Sequence, residues 1–230
     1  EHSPSAMERP TAGRIHNSRG PMKGIESFLI RPLPFWKRAE DIVGATIALI
    51  VFSPIMVAVA IAIKLTSKGP VTFKQQRAGL GGKPFMFYKF RSMVVDAEAR
   101  KKDLLKHNER IGPAFKMTND PRVTCVGDFI RKWSLDELPQ LFNVLRGDLS
   151  LVGPRPLPIE EALQHNQWQD RRLYVTPGIT GLWQVYARDD KSFDRWARLD
   201  IEYIMRRSLL LDLKILLKTL PAVLSRKGAC

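Results

Sequence analysis

No side chain between residues 42 and 63 is charged, and this run constrains the chain more than any other feature. Its 22 residues, IVGATIALIVFSPIMVAVAIAI, would reach roughly 33 Å as one helix, enough for a hydrocarbon core of about 30 Å. A secretory signal is a poor description, because the run starts about forty residues in and lacks a convincing cleavage site. Ser53 and Pro54 interrupt it near the middle. Proline removes one backbone bond and crowds the preceding turn, while a serine hydroxyl can bond back to a freed carbonyl, so a sharp bend near residue 53 is expected. Lys37 and Arg38 precede the run, and Lys64, Lys68, Lys74 and Arg77 follow it. Orientation by positive charge needs an asymmetry between flanks, and none is visible. Three readings stay open: a re-entrant helix broken at Ser53-Pro54, a bitopic span, and a buried core helix.

The 230 residues suffice for one domain with a real core and a tail. Lys and Arg total 37 against 23 Asp and Glu, a formal net charge of +14. An anionic partner is implied, and charge alone cannot choose among nucleic acid, anionic lipid and phosphorylated small molecules. Cys125 and Cys230 are the two cysteines, which argues against a disulfide framework and against zinc spacing, and for a reducing, cytoplasm-facing setting. Residues 1–34 are rich in Pro, Gly, Ser and Arg without hydrophobic period, and read as a tail or linker.

Beyond the apolar run, residues 71–90 place apolar and aromatic side chains on both sides of a Gly-rich turn, a β-hairpin pattern. Residues 94–110 read as a solvated helix, with Glu98 and Lys102 four apart. Leu138, Leu141, Phe142 and Leu145 recur at helical intervals and Gly147 is a plausible stop. The stretch LVGPRPLP, residues 151–158, holds three prolines and must be an extended or turning loop. Helix is expected at 159–173, a break at 177–181, and a long apolar helix with Arg206, Arg207, Lys214 and Lys218 at 199–224. That last helix suits either a membrane interface or a core with a wet edge. The fold class is α+β and mostly helical.

Asp136-Glu137 is the one acidic pair set among cations. Ser134 to Glu137 also matches a capping box, in which Glu137 returns to the cap amide, although Pro139 would suit Asp136 better as the cap. Capping and catalysis both stay open here. An ionised Asp beside a divalent cation and arginines can attack a phosphoryl group, the cations absorbing charge that spreads over its oxygens. Lys89, Arg91, Arg131, Arg155 and Arg188 are candidate phosphate ligands, with Arg155 held between two prolines. His107 and His165 have no partner at ligand or triad spacing and read as surface histidines.

These residues fall in the strings KRAEDIVGA, FSP, GPVTFKQQRAG, YKFRSM, DPRVT, SLDELPQLFNVLRGDLSLVGPRP, TPGITGLWQV, LDIEYI and LDLKIL. In that order, from about Lys37 to Leu224, the sequence resembles the bacterial sugar transferase family, the polyprenol-phosphate phosphoglycosyl transferases. The resemblance implies a monotopic enzyme of the bacterial inner membrane, on its cytoplasmic face. Its parts would be a tail (1–34), a re-entrant helix (35–66), a catalytic domain (67–225) carrying interfacial amphipathic helices, and a short end (226–230). It implies that Asp136 attacks the β-phosphate of a UDP-sugar, that UMP leaves, and that undecaprenyl phosphate collects the phosphosugar from the Asp. Mg2+ is carried over to Asp136, and Glu137 becomes the assisting carboxylate. Lys89, Arg131, Arg155 and Arg188 match phosphate-binding positions, and Pro177, Gly178 and Thr180 a loop near the nucleotide. Lys37, Arg38, Asp41, Ser53 and Pro54 match the membrane and acceptor side. Membrane lipid is then a partner and nucleic acid is not; homo-oligomerisation is left open. The family commonly has Gly before the arginine equated with Arg188, where this chain has Ala187. A rival from another class is a membrane-anchored basic module that binds without catalysis; a bitopic phosphohydrolase is a third.

Overall fold

The computed structural model describes residues 29–109, 114–115 and 117–225. Most of the expected tail, residues 1–28, and the end at 226–230 lie outside the described residues. Arg31, inside the expected tail, is bridged to Val175, its amide donating to the Tyr174 carbonyl at 2.7 Å.

Helix α1 runs Phe35–Thr66 and is not divided at Ser53-Pro54. Pro54 has no N–H for the Ile50 carbonyl four residues back, and the Ser53 hydroxyl donates to that carbonyl at 2.9 Å. One orphaned acceptor is therefore satisfied locally, and helix continues on both sides. Ile47, Ile50, Val51, Ile55, Val57 and Ile61 are exposed along it, so α1 is long and apolar enough to cross a membrane and is not a buried core helix.

Both ends of α1 are fastened to the same body. At the first end, Lys37 reaches Asp212 at 2.7 Å, and Asp41 accepts from the Ser150 hydroxyl at 2.9 Å and the Leu151 amide at 2.8 Å. Tyr203 donates to the other Asp212 oxygen at 2.9 Å. Arg38 donates to the Val144 and Leu145 carbonyls, each at 2.6 Å, satisfying acceptors that a helix end leaves bare. At the far end Val59 and Ile63 pack on Phe90 and Ile130, and Arg91 donates to the Ser67 and Lys68 carbonyls. Lys37, Arg38 and Asp41, expected on the membrane and acceptor side, tie α1 to the body. Lys37 and Asp41 are fully buried because each finds an opposite charge or a donor inside.

Strands β1 (Thr72–Ala78) and β2 (Pro84–Phe90) form the expected antiparallel hairpin, from Thr72 opposite Phe90 to Ala78 opposite Pro84. Its turn needs positive φ at Gly81 and Gly82 (63° and 74°), conformations that cost any side chain with a Cβ. Helix α2 covers Ala97–Leu104, and α3, Cys125–Lys132, starts on a Thr124 cap whose hydroxyl accepts the Gly127 amide at 2.9 Å. Helix α4, Gln140–Arg146, ends on Gly147 at φ 91°. Strand β3 (Ser150–Val152) pairs in parallel with β4 (Gly178–Thr180), so the first residues of the proline-rich stretch are strand.

Between them lie only the single turn α5 (Ile159–Ala162) and a 3-10 segment, Gln169–Tyr174, in place of one helix over 159–173. Helix α6 is Leu182–Tyr186. The expected helix 199–224 is two helices, α7 (Phe193–Arg206) and α8 (Leu209–Leu224), because Ser208 is extended and caps α8 through the Leu211 amide. His165 is buried and lies 5.3 Å from the Phe193 ring, so it is not a surface residue. One core joins Ala45, Phe87, Leu141, Val144, Leu149, Val152, Tyr203 and Ile215; a second is built around the stacked Trp183 and Trp196, 3.9 Å apart. Among the described residues the architecture is mostly helical α+β with two small sheets.

Candidate active site

Asp136 sits in a 3-10 turn, Leu135–Glu137, that follows Ser134. Ser134 has φ 54° and ψ 20°, a left-handed conformation uncommon outside glycine, which turns the chain sharply out of α3. The capping box is absent: the Glu137 amide donates to the Ser134 carbonyl, and the Glu137 side chain points to cations instead. Asp136 caps nothing either, since α4 begins after Pro139 without a side-chain cap.

Lys89 on β2 stands 3.3 Å from Asp136 and 2.9 Å from Glu137, and Arg155 reaches Glu137 at 2.6 Å. Burial would raise the Glu137 carboxyl, but Arg155 and Lys89 together hold it well below the usual carboxylate range. Glu137 is thus an ionised link between two cations, and Asp136 lies beside it with one neighbouring ammonium.

The supports of these four residues are spread over the chain. Asn143 of α4 accepts the Tyr88 amide and donates to the Met86 carbonyl, at 3.3 and 2.7 Å, which fixes β2 against α4. The Arg155 carbonyl accepts from Arg172 at 3.0 Å, and Arg172 is paired with buried Asp200 at 2.7 Å. Arg77 donates to the Pro156 carbonyl at 2.8 Å. Sequence reading missed Asn143, Arg172, Asp200 and Arg77 as supports. Asn143 and Asp200 fall inside quoted strings, but nothing in their spacing says which backbone they hold.

A cavity of about 1300 Å³ opens over this turn. Lys89, Arg131, Asp136, Glu137, Arg155 and Arg188 line its polar part, and Thr180 borders it. Ala48, Phe52 and Ile55 of α1 line another part, with Leu216, Leu220 and Leu224 of α8. Charged head and apolar flank thus share one cavity.

Arg188 reaches the Ser134 hydroxyl at 3.3 Å and the Ala222 carbonyl at 3.4 Å, joining the Asp136 turn to α8. Ala187 before it has φ −142°, a conformation that any residue adopts, so alanine costs nothing there. Arg91 is the exception among the expected phosphate ligands. It borders the cavity, but its guanidinium is engaged by the Ser67 hydroxyl and the Ser67 and Lys68 carbonyls, where it closes the end of α1. Pro177 and Gly178 do not line the cavity. A Cβ on Gly178 would fall 2.1 Å from the Gly153 nitrogen, so this glycine permits close backbone packing between the β4 and β3 segments. Ser53 and Pro54 are exposed on α1 away from the polar cluster.

Among the described residues no group of three or more His, Cys, Asp or Glu side chains could form a metal cage. Two adjacent carboxylates at a cavity wall nevertheless suit magnesium, which is commonly held by one or two carboxylates together with substrate phosphates and water.

Residues 33–226 match the family model described as bacterial sugar transferase. The chain is 50% identical over 194 residues to the galactosyl transferase CpsE of Streptococcus agalactiae, covering 84% of this chain and 43% of that protein. It is 47% identical over 201 residues to the undecaprenyl-phosphate galactose phosphotransferase of Salmonella typhimurium, 85% of this chain and 42% of that one. With the exopolysaccharide production protein ExoY of Rhizobium meliloti it shares 38% identity over 213 residues, 89% of this chain and 92% of ExoY. The chain therefore spans less than half of the first two relatives and nearly all of the third. With the family model matching most of its length, the chain belongs to the bacterial sugar transferase family.

Proposed function

We propose that this chain transfers a sugar 1-phosphate from a UDP-sugar to undecaprenyl phosphate and releases UMP. The observation that carries this reading is the cavity that joins the Lys89–Asp136–Glu137–Arg155 cluster to apolar residues of α1 and α8. Such a site suits two anionic phosphates, one of them on a long hydrocarbon. The Salmonella relative, whose name states this class of reaction, supports it.

An Asp136 carboxylate oxygen attacks the β-phosphorus, the bond to the α-phosphate oxygen breaks, and UMP departs. A phosphate oxygen of the polyprenol then attacks the same phosphorus and breaks the acyl bond, which restores the Asp136 carboxylate. Lys89 and Arg155 face the equatorial oxygens and offset their charge. Glu137 holds both cations in place, since each is within 3 Å of one of its oxygens. Arg131 and Arg188 add positive charge to the cavity wall. Asp136, with Glu137 beside it, would hold Mg2+, whose charge lets one anion approach another.

Residues 35–66 act as a re-entrant anchor and 67–225 as the catalytic domain, at the cytoplasmic face of the inner membrane. Fastening of both α1 ends to one body supports this topology, since an anchor whose two ends meet the same domain does not place them in opposite compartments. The exposed leucines of α8, with Lys214 and Lys218 on the same helix, support a seat at the lipid interface.

Membranes carrying the chain should be incubated with Mg2+ and UDP-sugar labelled in the sugar. Label in an extractable diphospholipid, with stoichiometric UMP, is the expected result. Free sugar phosphate would mean a hydrolase, and salt-sensitive retention without UMP a binding module.

A further inference from the structure

Past Arg155 the cavity continues to a second polar group, Gln75, Arg77, Glu98, Lys101 and Glu161, which the phosphate chemistry leaves unused. Glu161 of α5 is buried, its carboxylate 3.3 Å from the Lys101 ammonium of α2, and it takes a backbone hydrogen bond from Phe115. Arg77 is fixed by the Pro156 carbonyl and by Gln75, at 2.8 and 3.2 Å. Arg155 lies within the electrostatic reach of both Asp136 and Glu161. Arg77 stands 4.0 Å over Phe87, and Arg122 5.2 Å over Phe115, so a cation occupies one face of each ring. A carboxylate next to an ammonium offers an acceptor and a donor side by side, which matches a ring of hydroxyls.

The geometry points to Glu161 and Lys101 as specificity-determining residues that read the hydroxyls of the transferred sugar. This rests on the proposed transfer reaction and says which end of the cavity holds the sugar. The ring is bonded to the phosphate that Asp136 attacks, and Glu161–Lys101 is a second carboxylate–ammonium pair on the wall of the same cavity. A site built to bond a hydroxyl discriminates strongly against a substrate that places it elsewhere.

The test compares kcat/KM for UDP-glucose and UDP-galactose, by UMP release, in the full chain and in Glu161→Gln and Lys101→Met. Inhibition by UMP is measured alongside. Arg100→Ala, which removes an exposed pair with Asp96 on the same helix, is the control and should leave the ratio unchanged. The ratio between the two sugars should move about fivefold or more in at least one folded variant, as expected when a charged hydrogen-bond partner is lost, with UMP inhibition unaltered. An unchanged ratio in folded, active variants overturns the assignment, and so does weakened UMP inhibition, which would place the nucleotide there. No UMP release from any UDP-sugar by the unsubstituted chain would instead reject the transfer reaction on which the assignment rests.

Discussion

Glu137 is the residue whose charge state the site depends on most visibly. Its folded value lies well below the ordinary one because Arg155 and Lys89 outweigh burial, and an unfolded glutamate titrates near about 4.3. A group depressed on folding stabilises the fold above its unfolded value and loses that contribution as pH falls through its folded value. Glu137→Gln should therefore lower stability by about 1–3 kcal/mol at neutral pH, the range for charge-assisted hydrogen bonds, and the deficit should shrink below about pH 4. Denaturant melts of both forms across pH 3–7 measure this; a pH-independent deficit would contradict the ion-pair account. At this scale the sequence was informative for residue types and ambiguous for roles. Asp136-Glu137 stood out as an acidic pair among cations, but spacing fitted a helix cap better. The left-handed Ser134 and the reach of Lys89 and Arg155 to the carboxylates exclude the cap. Arg91 shows the reverse: among candidate arginines it looked like the rest, and its long side chain turned to the end of α1 instead.

Among the elements, α1 carries the largest consequence. Its length and lack of charge were legible because they need no tertiary information, and so was the bond from the Ser53 hydroxyl to the carbonyl that proline abandons; that helix continues on both sides of it was not. The Ser208 division of α7 from α8 was hidden by apolar residues on both sides, which continue one hydrophobic pattern across a change in direction. For α1, we expect cysteines at exposed Phe35 and Leu65, in a background without Cys125 and Cys230, to react with an impermeant maleimide from the same membrane face. Pro54→Ala restores an N–H to the Ile50 carbonyl and should shift a fraction of molecules to a spanning state, seen as one flank labelled from the other face. Flanks labelled from opposite faces before that substitution would contradict the re-entrant anchor; no change after it would contradict the proline's part.

For the whole molecule, the arrangement that matters is a long apolar helix and the Asp136 turn locked into one body. Lys37 with Asp212, Asp41 with Ser150 and Leu151, Arg38 with the end of α4, and Arg91 with the end of α1 bind elements far apart in sequence. None of these pairings was legible beforehand, since sequence shows which charges exist and not which are buried together. Their effect is to fix the exposed apolar faces of α1 and α8 relative to the body that carries Asp136. The most direct test is the intact mass of the chain after incubation with Mg2+ and UDP-sugar without acceptor. We predict a gain of one sugar phosphate, mapped to Asp136, discharged by added undecaprenyl phosphate and absent in Asp136→Asn. UMP release with no adduct at residue 136, or an Asp136→Asn variant that still turns over, would contradict the account.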